Sequence, residues 1–148
     1  MNSLWKKTPQ LDHINQISKR TASENMGIQF TEIGPDFLRA TMPVDHRTVQ
    51  PAGLLHGGAS VLLAETLGSV ASLFCREDES TLPVGVEINA NHLRPARNGL
   101  VTGIVSPLHI GRSIHVWEIR ITNSSGQLCC ISRLTVTLVR QVAANPSS

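Results

Sequence analysis

The sequence predicts an α+β domain: a largely antiparallel, six-stranded sheet curled around one long central helix. Three observations carry this. Residues 56–75 hold a single acidic or basic residue, Glu65, in a run dominated by Leu, Ala and Gly. Runs of alternating apolar residues flank that stretch, two before it and four after it. The 148 residues, 16.0 kDa, suffice for one core, so a single domain over 1–140 is expected.

Taken in order, Leu11, Ile14 and Ile17 recur at helical spacing and predict a short amphipathic helix over 11–20. Alternation over 27–33 and 37–44 predicts two strands. Gly34-Pro35-Asp36 between them is a turn signal, which makes a hairpin. Polar residues and Pro51 over 45–53 form a loop into the long helix, 56–75, and the charged run 76–80 forms a solvated linker out of it. Strands follow over 84–94, where Pro95 ends the run, then 100–105, 113–122 and 127–139. Trp117, Ile119 and Ile121 share one strand face, as do Leu134, Val136 and Leu138. The segment 141–148, with Asn, Pro and Ser, is expected to be a disordered tail.

Composition narrows the function classes. Thirteen Lys and Arg against 11 Asp and Glu give a net charge of +2, scattered along the chain, which argues against a nucleic-acid partner. Aromatic residues make up 3% and Tyr is absent, which removes base-stacking platforms. Lys6 and Lys7 are followed by no apolar stretch, so no signal peptide is expected, and no membrane span is read. The odd set Cys75, Cys129 and Cys130 reads as free thiols in a reducing cytoplasm. The six histidines show no tight His-x-x-x-His spacing, so no metal site is expected.

The stretch from Gln50 to Ser69 concentrates the chemistry. Gly57 and Gly58 open the long helix, and bare N–H groups there suit an anion or a developing negative charge. At 100° per residue, Leu63, Leu67, Val70 and Phe74 form the core stripe, while Glu65 points the other way with Gly58, Val61, Leu62, Ser69 and Ser72. No Lys or Arg occurs between Arg47 and Arg76, so a carboxylate set among small and apolar neighbours is a candidate for chemistry. One sheet cannot cover both faces of this helix, and the Glu65 face is expected to meet a second subunit.

Gln50 to Ser69, with Ala40-Thr41-Met42-Pro43-Val44-Asp45, Glu87-Ile88-Asn89-Ala90-Asn91-His92 and Ser132-Arg133-Leu134-Thr135, closely resembles the hotdog-fold acyl-CoA thioesterases. The resemblance spans about residues 4–139. It is nearest to the branch hydrolysing 1,4-dihydroxy-2-naphthoyl-CoA, beside phenylacetate-type aryl-CoA thioesterases and a sister branch that clears misloaded aryl groups from a carrier protein. It implies a cytoplasmic homo-oligomer, a dimer of dimers, acting on an aromatic acyl-CoA such as a hydroxybenzoyl ester or on an acyl carrier protein. No separate cofactor is implied, since coenzyme A is part of the substrate.

By the same resemblance Glu65 is the catalytic carboxylate, acting as nucleophile or general base, and the Gly57 N–H holds the thioester oxygen. His56 and Gln50 orient the carbonyl or the water, and Ser69, one turn after Glu65, helps to place them. The phosphates of coenzyme A need basic contacts, for which His92, Arg94, Arg112, Ser113 and Arg133 are candidates. A hotdog dehydratase or hydratase built on His56 and Glu65, and a non-catalytic acyl-CoA binder, are the competing readings.

Overall fold

The structure, a computed structural model, describes residues 4–141. The expected tail lies outside the described residues except for Gln141, whose N–H donates to Ser80 O at 2.9 Å. Two short helices, α1 (Leu11–Ile17) and α2 (Ala22–Asn25), precede the strands β1 (Gln29–Ile33) and β2 (Leu38–Pro43). The long helix α3 (Gly57–Cys75) leads to β3 (Thr81–His92), β4 (Leu100–Ile110), β5 (Ile114–Thr122) and β6 (Leu128–Arg140). All five strand pairings are antiparallel, in the order β1-β2-β4-β5-β6-β3, and α3 lies in the curl of this sheet.

Two elements differ from expectation. The first helix stops at Ile17, where Ser18 Oγ takes the Ile14 carbonyl at 2.9 Å in competition with the helix backbone. The chain then restarts as α2, capped by the Thr21 hydroxyl, which accepts from Ser23 N–H. Strand β4 runs five residues past the expected end at 105. Its pairing with β2 stops at Val105, two residues before Pro107, which lacks an N–H for a second ladder, and past a bulge at Leu108 the strand continues against β5 alone.

The core face of α3 is wider than the predicted stripe. Leu63, Leu67 and Phe74 are buried as expected, and Ala59, Ala64, Gly68 and Ala71 join them while Val70 is only half-buried. Small residues let the sheet approach: a Cβ on Gly68 would stand 2.5 Å from Leu134 Cδ2. Ser72 also departs from its predicted place on the Glu65 face. It is fully buried, and its Oγ accepts from Trp117 Nε1 at 2.8 Å. The two residues share an angular position seven residues apart, but β5 covers that face at Ser72 and leaves it open at Glu65.

By length and composition α3 passes for a membrane span, with a mean hydropathy of 1.5 over 18 residues, which the sequence reading did not foresee. More than half of that window is buried inside the sheet, so the apolar run serves the core. The sheet ends in a free strand. Among the described residues one edge of β3 pairs with β6 and the other with no strand, and Leu82, Val84 and Val86 are exposed on β3.

Candidate active site

The helix start is built from a capped loop. Thr48, almost fully buried, donates from Oγ1 to Pro43 O at 2.6 Å, and its carbonyl accepts from His56 N–H at 2.8 Å. Asp45 is held at about 2 by its hydrogen bonds from Arg47, which fixes the loop entrance. Gly53, with φ +78°, closes a tight turn on the Gln50 carbonyl. Within that turn Gln50 Oε1 accepts from Ala52 N–H, which leaves the Nε2 amide hydrogens as its free donors.

His56 is the N-cap of α3. Its Nδ1 accepts from Gly58 N–H at 2.8 Å, so the uncharged ring carries its proton on Nε2. The His56 carbonyl accepts from Ala59 and Ser60 N–H, and the Gly57 N–H has no partner among the described residues. A single free donor therefore sits at the positive end of a 19-residue helix. His92 packs against it closely: a Cβ on Gly57 would lie 2.9 Å from His92 Nε2.

Gln50, Gly57, His92 and Arg94 share one cavity, about 370 Å³, whose floor includes Cys129. Arg94 was expected beside His92 on one strand, but β3 ends at His92. Arg94 follows in a turn where its Nη1 donates to Leu128 O at 3.3 Å, still on the cavity rim. A bulge in β6 aims Cys129 into this cavity, because Ile121 and Thr122 pair with Cys130 and Leu128 and leave Cys129 between them. Burial pushes all three thiols up, Cys75 to about 12, which disfavours the thiolate.

Glu65 and Ser69 line a second cavity, about 330 Å³, between α3 and the α1–α2 segment. Glu65 is half-buried and accepts no hydrogen bond among the described residues. Its Oε1 rests over Gly85 on β3, next to the bulge at Val86. Gly57 and Glu65 are eight residues apart, or about 12 Å along the helix axis. His56, engaged as a cap at the helix start, is likewise two turns from Glu65, so the His–carboxylate pair that a hydratase would use does not form within the chain.

The remaining phosphate candidates lie elsewhere. Arg112 lines a cavity with Lys6 and Cys75 at the far end of α3, and the Ser113 carbonyl accepts from Leu138 N–H at 2.9 Å. Arg133 is on the outer face of the sheet, because Ser132 and Leu134 on either side of it point inward. Sequence reasoning missed Gly85 and the α2 wall. The first gave only a glycine within a strand pattern as its signal, and the second Thr21-Ala22-Ser23-Glu24, a Thr-x-x-Glu start.

Comparison with known proteins places this geometry. The thioesterase superfamily model matches residues 52–130. The chain is 51% identical to the 1,4-dihydroxy-2-naphthoyl-CoA hydrolase of Escherichia coli over 92% of its length and 99% of that protein. It is 48% identical to the proofreading thioesterase EntH of Cronobacter turicensis over 92% of its length and 98% of that protein. A crystal structure of a Haemophilus influenzae thioesterase superposes with a TM-score of 0.89 at 50% identity, covering 93% of this chain and 95% of the other. A mutant thioesterase of Pseudomonas aeruginosa gives 0.92 at 47% identity, covering 94% and 100%. A curled sheet around one helix, an unpaired amide at that helix's start and this depth of similarity agree: the chain belongs to the thioesterase superfamily and is a hotdog-fold thioester hydrolase.

Proposed function

We propose that this enzyme hydrolyses aromatic acyl thioesters, with coenzyme A or an acyl carrier protein as the thiol, at sites shared between two copies of the chain. The observation that carries the shared site is a pair of half-sites in separate cavities along α3: a free Gly57 N–H without a carboxylate, and a Glu65 carboxylate without an oxyanion donor. Their backbones stand about 12 Å apart along the helix axis and the two groups open into different cavities, so within one chain they do not converge on one carbonyl. A twofold axis near Val61, midway between them, brings Glu65 of each copy beside Gly57 of the other. The uncovered edge of β3 supplies the strand along which two copies join.

In such a site the thioester oxygen points at Gly57 N–H, and negative charge growing on it is held by that donor and the helix dipole. Gln50 Nε2 and the His56 ring orient the carbonyl or the water. Glu65 either attacks the acyl carbon or takes a proton from the attacking water, with Ser69 placing it. When the tetrahedral species collapses, the C–S bond breaks and the thiolate leaves with its electron pair. As base, Glu65 returns its proton to that sulfur. As nucleophile, it forms an anhydride that water then opens. Arg94 at the cavity rim meets the phosphates of coenzyme A, whereas His92, packed against Gly57, stands at the thioester end, a pantetheine arm away from them. No further cofactor is needed.

Dimers pairing into a homotetramer are supported by apolar side chains on the outer sheet face, Leu82, Val84, Ile114 and Val139, each 37–45% exposed. Free thiols at positions 75, 129 and 130 support a reducing, cytoplasmic setting. The test follows thiol release from a panel of aryl, naphthoyl and straight-chain acyl-CoA esters. Glu65→Gln should lose at least 10²-fold in kcat with the oligomer and ester binding retained. Near wild-type turnover by that variant, or a monomer in light scattering at micromolar concentration, would refute the shared carboxylate site. Single-turnover hydrolysis in labelled water separates the two roles of Glu65, since only the nucleophile carries label into its own carboxylate.

A further inference from the structure

The cavity beside Glu65 is walled by α2, the element the sequence did not announce, and its hydroxyl groups are not equivalent. Ser18 Oγ is committed to the Ile14 carbonyl at 2.9 Å. Thr21 Oγ1 is committed twice, donating to Ser18 O at 2.5 Å and accepting from Ser23 N–H at 3.2 Å. These two build the turn and have little left to offer a ligand.

Ser23 and Thr66 differ. Their hydroxyl oxygens lie 3.4 Å apart across the α2–α3 junction, well beyond the usual separation of about 2.7–2.8 Å for hydroxyl pairs. Neither side chain makes another hydrogen bond among the described residues, although Ser23 is only 9% exposed and Thr66 is half-buried. Each hydroxyl has one donor and two acceptor positions, so one long shared contact leaves a donor and several lone pairs unspent. Both side chains line the Glu65 cavity, where Ile17 and Val70 supply apolar wall. Ser69 also lines this open cavity with its hydroxyl unpaired among the described residues, but it lies one turn from Glu65, where it serves the carboxylate; the Ser23–Thr66 pair lies further along the wall and suits a planar apolar group bearing a hydroxyl of its own.

We infer that the Ser23–Thr66 pair is a specificity-determining contact that hydrogen-bonds a ring hydroxyl of the aromatic acyl group. This rests on the reading of Glu65 as the carboxylate at the thioester. The pair touches the substrate at a point remote from the reacting carbon. Its hydrogen bond discriminates between acyl groups and adds nothing to the chemistry they share.

The experiment compares kcat/KM for matched hydroxybenzoyl-CoA and benzoyl-CoA esters. The wild-type enzyme is expected to favour the hydroxylated ester. Ser23→Ala should lower the preference about tenfold, the loss of one hydrogen bond, while kcat/KM for benzoyl-CoA changes less than about twofold. Thr66→Val should lower it in the same direction, and Ser23→Thr, which keeps a hydroxyl, should retain the preference. An unchanged preference in both Ser23→Ala and Thr66→Val overturns the inference, as does an equal fall for both esters, which is the signature of a scaffold role. If the wild-type enzyme hydrolyses neither ester while turning over straight-chain esters, the aromatic reading itself fails and the inference falls with it.

Discussion

The Glu65 carboxylate occupies the space that Gly85 leaves by having no side chain: a Cβ at Gly85 would stand 2.5 Å from Glu65 Oε1. Gly85 does not adopt a positive φ, so Ala is tolerated there by the backbone. What must yield is the end of a flexible side chain, which costs little in stability but moves the oxygen that the proposed mechanism uses. Gly85→Ala should therefore melt within a few degrees of the wild type and lose about 10²-fold in kcat, the effect of misplacing a catalytic group by about 1 Å. Thermal melting alongside steady-state thiol release checks both halves.

The free amide of Gly57 can be removed without removing the helix. Proline is accepted at the first helical position, and His56 already has φ −67° and ψ 132°, the conformation a residue before proline prefers. Gly57→Pro and Gly57→Ala both push a Cβ at His92, but only Pro lacks the N–H. The expected outcome is a kcat 10²–10³-fold lower in Gly57→Pro than in Gly57→Ala, with equal helix content by circular dichroism. Equal rates in the two variants would remove Gly57 from the oxyanion site.

Ser72 is expected to act in stability and not in turnover. Replacing it with Ala leaves the buried Trp117 indole N–H without its acceptor, at a cost of about 1–3 kcal/mol. Urea unfolding should show that loss, and kcat/KM should be unchanged within twofold.

His115 introduces acid sensitivity. It is fully buried edge-on to Trp117, neither ring nitrogen makes a well-formed hydrogen bond, and desolvation pushes it down, outweighing a weak favourable contact with the Gly111 backbone. The native state therefore holds the ring neutral where the unfolded chain protonates it. Stability is intact above the ordinary histidine value of 6.5 and falls as the pH drops through it, by up to about 1.4 kcal/mol per pH unit. His115→Leu should flatten that slope between pH 6.5 and 5 in denaturant titrations.

Periodicity made the architecture legible. The long helix, all six strands and the hairpin turn at Gly34 were readable because each apolar run has a single period and a clear breaker. The core stripe was read too narrowly, since a wheel treats every turn alike while β5 closes over Ser72 and Glu65, on the same face but two turns away, meets only the bare backbone of Gly85 on β3. Gly57, His56 and Glu65 stood out because a Gly-Gly helix start and a lone charge are local signals. Gly85 and Ser23 did not, because their significance is a contact between elements distant in the chain. Arg112 and Arg133 were nominated by charge alone, and strand alternation turned Arg133 to the opposite side of the sheet.

On the proposed shared site Gly57 of one copy works with Glu65 of another, and so defects can be traded between chains. Glu65→Gln and Gly57→Pro proteins, each inert alone, are expected to rescue one another when unfolded together and refolded as a mixture. In every mixed pair one centre inherits both lesions and the other inherits none. Random pairing then restores about a quarter of wild-type turnover.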